Sequence, residues 1–249
     1  MRRSLIALLM LTATASAAPA LAQAPANVTT ALAAPSRAKD ATEDARRHPA
    51  EILTFAEVKQ GQTVADLVPG GGYWTRIFSG AVGPRGHVYS VWPDTMAGAG
   101  KPGEARVKAL GEEKMANNEQ LVVPFGAFAL PKPADVIFTS QNIHDFPNPG
   151  FGSLDLTAFG KQVLAALKPG GRFIVIDHAG APGTGQTQTG TLHRIEAAHV
   201  RQALETAGFR YAGASNALAN AEDDHTLRVF DPVLRGHTDQ FVMAFVKPR

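Results

Sequence analysis

Residues 63–68 (TVADLV) run without a break into Pro69-Gly70-Gly71-Gly72 and then into Tyr73-Trp74-Thr75. A β-branched apolar run, a glycine turn and an aromatic helix start, in that order, restrict this part of the chain to strand, tight turn and helix. Glycine serves such a turn in two ways: it adopts positive φ without strain, and it puts no side chain between the backbone and a ligand. The start of the following helix is then open to a charged group.

The rest of the chain repeats the alternation. Trp74, Ile77, Phe78 and Val82 follow one another at helical spacing, Gly83-Pro84-Arg85-Gly86 makes a turn, and residues 87–92 (HVYSVW) read as the next strand. Residues 104–117 read as a polar helix, 120–124 as a short strand and 134–140 (ADVIFTS) as a strongly apolar strand. A helix over 153–167 is closed by Lys168-Pro169-Gly170-Gly171, and 172–177 (RFIVID) form the fifth strand. A helix over 191–207 and strands over 209–215 and 239–246 complete the order. Strands that alternate with helices and are apolar on both faces predict a doubly wound α/β fold with a mostly parallel sheet.

Ahead of that core, residues 23–36 are rich in Ala and Pro and read as a flexible linker. From residue 36 the charges of RAKDATEDARR alternate in sign, as on one exposed helix. Pro49 interrupts it before a short amphipathic helix that ends near Gln60-Gly61. Residues 37–249 are expected to form a single domain.

Residues 1–22 combine Arg2 and Arg3, an apolar stretch from Leu5, and Ala20-Leu21-Ala22 before Gln23. These are the regions of a secretory signal peptide cleaved after Ala22, so a periplasmic or secreted chain is expected. The apolar part is interrupted by Thr12, Thr14 and Ser16 and falls short of the roughly 20 apolar residues of a spanning helix. No stable membrane anchor is therefore expected. The formal net charge of +2 rests on Arg2 and Arg3, so the processed chain is neutral. It lacks the basic excess with which proteins hold nucleic acid, which leaves a small molecule as the expected partner. With no cysteine, disulfides and a thiolate nucleophile are excluded.

Three stretches carry a family likeness: DLVPGGGYWT at 66–75, LKPGGRFIVID at 167–177, and the terminal AGF with DQFVMAFVKP. Through them the sequence resembles the class I, Rossmann-like methyltransferases that depend on S-adenosyl-L-methionine (SAM), and more narrowly their exported subgroup. The resemblance implies a seven-stranded sheet with its last strand antiparallel, SAM as cofactor, and methyl transfer to a small-molecule acceptor. The family's acid-x-Gly-x-Gly-x-Gly pattern falls on Asp66, Gly70 and Gly72, with Val68 at the first glycine position. The candidate cofactor contacts are Asp66, Pro69, Gly70, Gly71, Gly72, Tyr73 and Asn142. Where the family ends its second strand in a ribose-binding acid this chain has Trp92, so Asp94, two residues on, is the substitute. The resemblance also implies that the leading helices lid the pocket, with Arg46 or Arg47 meeting a carboxylate. Read from chemistry alone, Asp66 at a strand end can accept N–H bonds and a ligand ammonium. A dinucleotide fingerprint starting at Gly70 would need Gly or Ala where Thr75 stands.

Further polar residues follow the later strands: Asn142, His144 and Asp145, then Asp177 and His178, then His193 and Arg194. Ligands of open α/β sheets bind beyond the carboxyl ends of the strands, so these residues can converge. Histidine exchanges a proton near neutral pH, which makes His144 the first candidate for general base and His178 the second, with Asp145 or Asp177 orienting. Phe125 and Phe128 are either core or an adenine face. Two other functions fit the same residues. One is a methyltransferase-like scaffold that binds another small molecule without methyl transfer; the other is a metal-dependent hydrolase or lyase using His144, Asp145, Asp177, His178 and His193. None of these shows the tight H-x-x-x-H spacing, and the sequence assigns no metal ligand set.

Overall fold

The computed structural model describes residues 24–249, so the expected signal peptide lies outside the described residues. Seven strands form one sheet: β1 (Thr63–Leu67), β2 (His87–Pro93), β3 (Asn118–Val123), β4 (Ala134–Ser140), β5 (Leu167–His178), β6 (Arg210–Ser215) and β7 (Gln240–Val246). Their order is β3-β2-β1-β4-β5-β7-β6. The strands from β3 to β5 pair in parallel, and β7 lies antiparallel between β5 and β6. This is the expected Rossmann-like methyltransferase sheet, with the last strand antiparallel.

Alternation along each strand divides the core in two. Val64, Val88, Val136, Phe138, Ile174 and Ile176 face one layer, built from α1 (Ala26–Leu32), α3 (Pro49–Ala56) and α4 (Tyr73–Val82). Ala65, Leu67, Val91, Ile137, Phe173 and Val175 face the other, built from α6 (Leu156–Ala166) and α7 (Ala197–Ala207). Because β1 has β2 on one side and β4 on the other, the chain switches direction across the sheet there. The crevice beyond the ends of β1 and β4 is where such sheets hold ligands. No helix among the described residues is long and apolar enough to cross a membrane.

Four expectations about the elements are corrected. Residues 26–32, expected within a linker, form α1, with Val28 and Ala31 buried. Alanine is the best helix former, and the helix is held by Asn27, whose side-chain amide donates to the carbonyls of Val58 (3.0 Å) and Ala81 (3.1 Å). Residues 36–47 are not one exposed helix but a 3-10 segment (Pro35–Glu43) followed by the four-residue α2 (Asp44–Arg47). Their charges pair across elements, so Arg37 and Asp40 are buried: Arg37 holds Asp44 at 2.6 Å, and Asp40 holds Arg76 of α4 at 2.5 and 2.8 Å. α2 stops at His48, whose φ is +45°, and Pro49 opens α3 as proline readily does at a first helical position.

The third correction concerns residues 191–196, which are not helical. Ile195 instead bridges Ala179 beyond the end of β5, donating to the His178 carbonyl (3.2 Å) and accepting from Gly180 (2.9 Å). This draws His193 and Arg194 alongside the strand end. Finally, Lys168-Pro169-Gly170-Gly171 does not separate α6 from β5; it is absorbed into the strand as an irregularity opposite Ala134 and Val136. The helix α5 (Glu104–Glu112) keeps its expected start.

Gly80 sits in mid-helix at the crossing of α1 and α4, where a Cβ would lie 2.9 Å from the Ala31 Cβ and 3.1 Å from its Cα. An exposed Gly→Ala change in a helix stabilises by about 1 kcal/mol. Because α1 packs directly on this site, Gly80→Ala is expected to destabilise instead, by about 1–3 kcal/mol, in urea denaturation, and to speed proteolysis within residues 24–34.

Candidate active site

The turn after β1 is built on left-handed backbone: φ is +55° at Val68, +58° at Gly70 and +79° at Gly72. A β-branched residue in that region is strained, at a cost of order 1–3 kcal/mol. Val68 therefore keeps the backbone path expected of the glycine it replaces, and burial of its side chain in the α6/α7 core offsets the strain. The glycines divide their work. A Cβ on Gly70 or Gly71 would meet nothing within 4 Å, so their backbone faces open space; on Gly72 it would strike Leu110 (2.6 Å) and Arg76 (2.8 Å). Gly72 caps α4 in a left-handed conformation that a side chain would strain and faces the Leu110 and Arg76 side chains, so only the first two are open to a ligand.

A cavity of about 160 Å³ lies against this loop, lined by Asp66, Pro69, Gly70, Gly71 and Tyr73, and closed by Asn142 and Arg47. Asp66 is nearly fully buried and accepts from the Thr75 hydroxyl at 2.7 Å. Burial pushes its carboxyl up to about 7, against the pull of the Thr75 hydrogen bonds. Asn142 uses its amide group to tie the strand ends together, donating to the carbonyl of Ser140 at 2.7 Å and lying 3.4 Å from those of Leu67 and Val68. Arg47 reaches over from α2: its guanidinium sits 4.8 Å from the centre of the Tyr73 ring, while the Tyr73 hydroxyl donates to Asp44 at 2.7 Å. Burial and the Asp44 charge push the Tyr73 hydroxyl pKa well up.

Two expected cofactor contacts fall outside this cavity. Gly72 faces α5, as described, and Asp94 lies exposed in the loop after β2, with its N–H bonded to the Val123 carbonyl (3.0 Å). Trp92 is fully buried with Ala97 and Leu110 and donates to Gln120 at 3.0 Å. Phe125 and Phe128 pack on Phe159, which makes them core.

The histidines gather on Asp177, which is completely buried at the end of β5. It accepts from the backbone N–H groups of His144 (2.8 Å) and His178 (2.7 Å), and its Oδ1 lies 2.7 Å from His144 Nδ1. That contact places the His144 proton on Nδ1 and turns Nε2 towards Asp145, 3.4 Å away. Burial disfavours the charged His144 ring, but the charge and hydrogen bond of Asp177, with Asp145 behind, outweigh it and raise its pKa. Burial of Asp177 is likewise outweighed by His144, which holds the carboxyl below its usual range. His193 lies 3.6 Å from Asp145; burial and the neighbouring His144 charge lower its pKa.

His178 differs from these. Burial pushes its pKa down to about 4, so the ring is neutral at pH 7, and its Nδ1 lies 2.7 Å from the Thr238 hydroxyl. It lines a second cavity of about 430 Å³ together with Arg46, Arg47, Gln141, Phe230 and Arg235. Arg47 and Gln141 border both cavities. Arg194, by contrast, is a structural tie, fully buried and bonded to Asp223 and to the carbonyls of Ala179 and Leu227.

Sequence reasoning did not find Thr75, Gln141 or Thr238. Thr75 counted only against a dinucleotide, whereas its hydroxyl is the partner of Asp66. Thr238 carries no motif, being 60 residues from His178.

No family model matches the chain. Over 141 residues it is 27% identical to the demethylmenaquinone methyltransferase of Bacillus cytotoxicus, covering 53% of this chain and 52% of that protein. The chain therefore spans about half the length of that relative. Among solved structures, a SAM-dependent methyltransferase from Aquifex aeolicus superposes with a TM-score of 0.55 at 20% identity, over 87% of this chain and 95% of that one. Aeropyrum pernix fibrillarin, which carries natively bound S-adenosyl-L-methionine, superposes at 0.51 with 15% identity, over 82% and 76%. The fold is that of the SAM-dependent class I methyltransferases.

Asp66 supplies a pH test. Its carboxyl keeps a proton up to about pH 7 in the folded chain but loses it near pH 4 when unfolded. Between those limits the folded state binds more protons, so stability from this group is present below pH 4 and lost as pH rises through 7. Asp66→Asn should flatten the fall of thermal midpoint over that range and melt above the parent at pH 8 without ligand.

Proposed function

We propose that this chain is an exported methyltransferase that uses SAM and a small-molecule acceptor. The observation that carries the reading is the open Gly70-Gly71 backbone sharing one small cavity with Asp66 and Arg47. An ammonium and a carboxylate on one carbon, as at the amino-acid end of SAM, would find a carboxylate and a guanidinium there. Ammonium binding would also hold Asp66 ionised. The fit is to that end of the cofactor; on the ribose side the chain offers Asp94 only from the exposed loop after β2.

SAM supplies a methyl group on a sulfonium, open to in-line displacement. The protein's part is to hold the acceptor in line and within about 3 Å, which alone accounts for much of such a rate. The second cavity suits the acceptor because it meets the first at Arg47 and Gln141. Within it His178, neutral and with Nδ1 engaged by Thr238, presents Nε2 to the acceptor's O–H or N–H. His144 was the first choice for that role on sequence grounds. The His144 ring, buried with Nδ1 on Asp177 and Nε2 facing Asp145, does not line the cavity, which favours His178.

A second reading, a scaffold that binds another amino-acid-bearing ligand without methyl transfer, is favoured by the outward position of Asp94. Calorimetry with SAM and S-adenosylhomocysteine separates the two. Micromolar binding of both is expected, abolished in Gly70→Asp and weakened about 10- to 100-fold in Arg47→Ala; absent or millimolar binding by the parent rejects the methyltransferase reading. Export has its own measurement: the protein recovered from the periplasm of an expressing bacterium should begin at Gln23, and an intact N-terminus there would refute the cleavage.

A further inference from the structure

His144, Asp145 and His193 are left without a part in the proposed transfer, yet their donor atoms converge. One ligand atom from each lies within 4.8 Å of the other two. His144 Nε2 is 3.4 Å and His193 Nδ1 is 3.6 Å from the same Asp145 oxygen. Those spacings are longer than the roughly 2.7–3.2 Å of N–H···O bonds, so hydrogen bonding alone does not account for them. They are close to what a shared ion requires, since donors about 2.0–2.2 Å from a tetrahedral metal stand roughly 3.3–3.6 Å apart.

Two independent features prepare the same spot. Asp177 accepts at His144 Nδ1 at 2.7 Å, the outer carboxylate that fixes the tautomer of metal-bound histidines and leaves Nε2 as the donor. His193 has a left-handed backbone at φ +55° and its ring rests against Phe230 with centroids 4.9 Å apart, so its orientation is held from both ends. Non-glycine residues in that conformation concentrate at functional positions.

We propose that His144 Nε2, the Asp145 carboxylate and His193 Nδ1 form a binding site for one divalent transition ion of the zinc class, with Asp177 as its outer-shell partner. Two imidazoles and one carboxylate favour zinc, iron(II), cobalt or nickel over magnesium and calcium, which prefer oxygen donors throughout. Three protein donors leave a tetrahedral ion one open position, as in catalytic rather than structural sites. The site adjoins the second cavity through Phe230, which lines it, and through His178, whose ring centre is 5.8 Å from that of His144. The ion site stands on its own geometry and does not depend on SAM being the cofactor.

The processed chain, stripped with a chelator, is titrated with zinc chloride in a calorimeter and its metal content measured by mass spectrometry. One zinc per chain at micromolar affinity or tighter is expected, with no uptake of magnesium or calcium at millimolar concentration. His193→Ala, at a half-buried position, should weaken zinc at least 100-fold, and Asp177→Asn about 10- to 100-fold. His87→Ala, on the far side of the sheet's β2 start, should leave it unchanged. Cobalt(II) bound to the parent should show the visible absorption of a four-coordinate ion, and His193→Ala should remove it. No zinc uptake by the parent, or equal affinity in His193→Ala, overturns the site. Should that variant fail to fold, Asp145→Asn takes its place, and undiminished zinc affinity there overturns the site equally. SAM calorimetry on metal-free protein is read separately, so failure of either idea leaves the other standing.

Discussion

One buried guanidinium holds the working end of this fold together. Arg76, in the first turns of α4, donates to both oxygens of Asp40, to Glu113 at 2.9 Å and to the Gly71 carbonyl at 2.9 Å. It thereby joins the segment before α2, the end of α5 and the glycine turn. A buried ion of this kind gains little over an apolar filling, but removing one partner strands the other charge at a cost of several kcal/mol. The position of the loop and of the segment above it are therefore one fact. A turn of three glycines has little stiffness of its own, and its shape is imposed by these neighbours.

The architecture was legible where local pattern and tertiary role agree. Residues 134–140 are apolar, β-branched and bounded by polar turns, and β4 occupies those residues. The Gly72–Tyr73 helix start was legible for the same reason, whereas the antiparallel direction of β7 came only from the family resemblance. What escaped was settled by partners distant in sequence. Nothing in an Ala- and Pro-rich stretch announces that a glycine in α4 will let it dock, and alternating charges look alike whether they face water or one another across elements. Residues 191–196 read as the start of a helix, but Ile195 pairs beyond β5 instead.

The site shows the same division. Asp66, Gly70 and Gly71 share one cavity because strand, turn and helix start follow one another directly in the sequence. Val68 looked like a departure from the glycine pattern, yet its backbone takes the left-handed turn regardless, with core packing offsetting the strain. His144 and His178 looked interchangeable as residues after successive strands. They differ because one is wedged between carboxylates while the other borders a cavity beside a hydroxyl and arginines, an environment that no motif encodes.

The contact between α2 and Tyr73 has a kinetic consequence. Arg47 and Tyr73 both line the small cavity, and Arg47 on the Tyr73 ring and the Tyr73 hydroxyl on Asp44 tie its wall to α2; such contacts are together worth roughly 1–3 kcal/mol. Where a ligand enters by parting these contacts and they re-form over it, entry and exit are slowed alike, by roughly 5- to 150-fold, and affinity is unchanged. Residence is lengthened by the same latch. The contact between α2 and Tyr73 thus governs how fast a ligand exchanges rather than how tightly it is held.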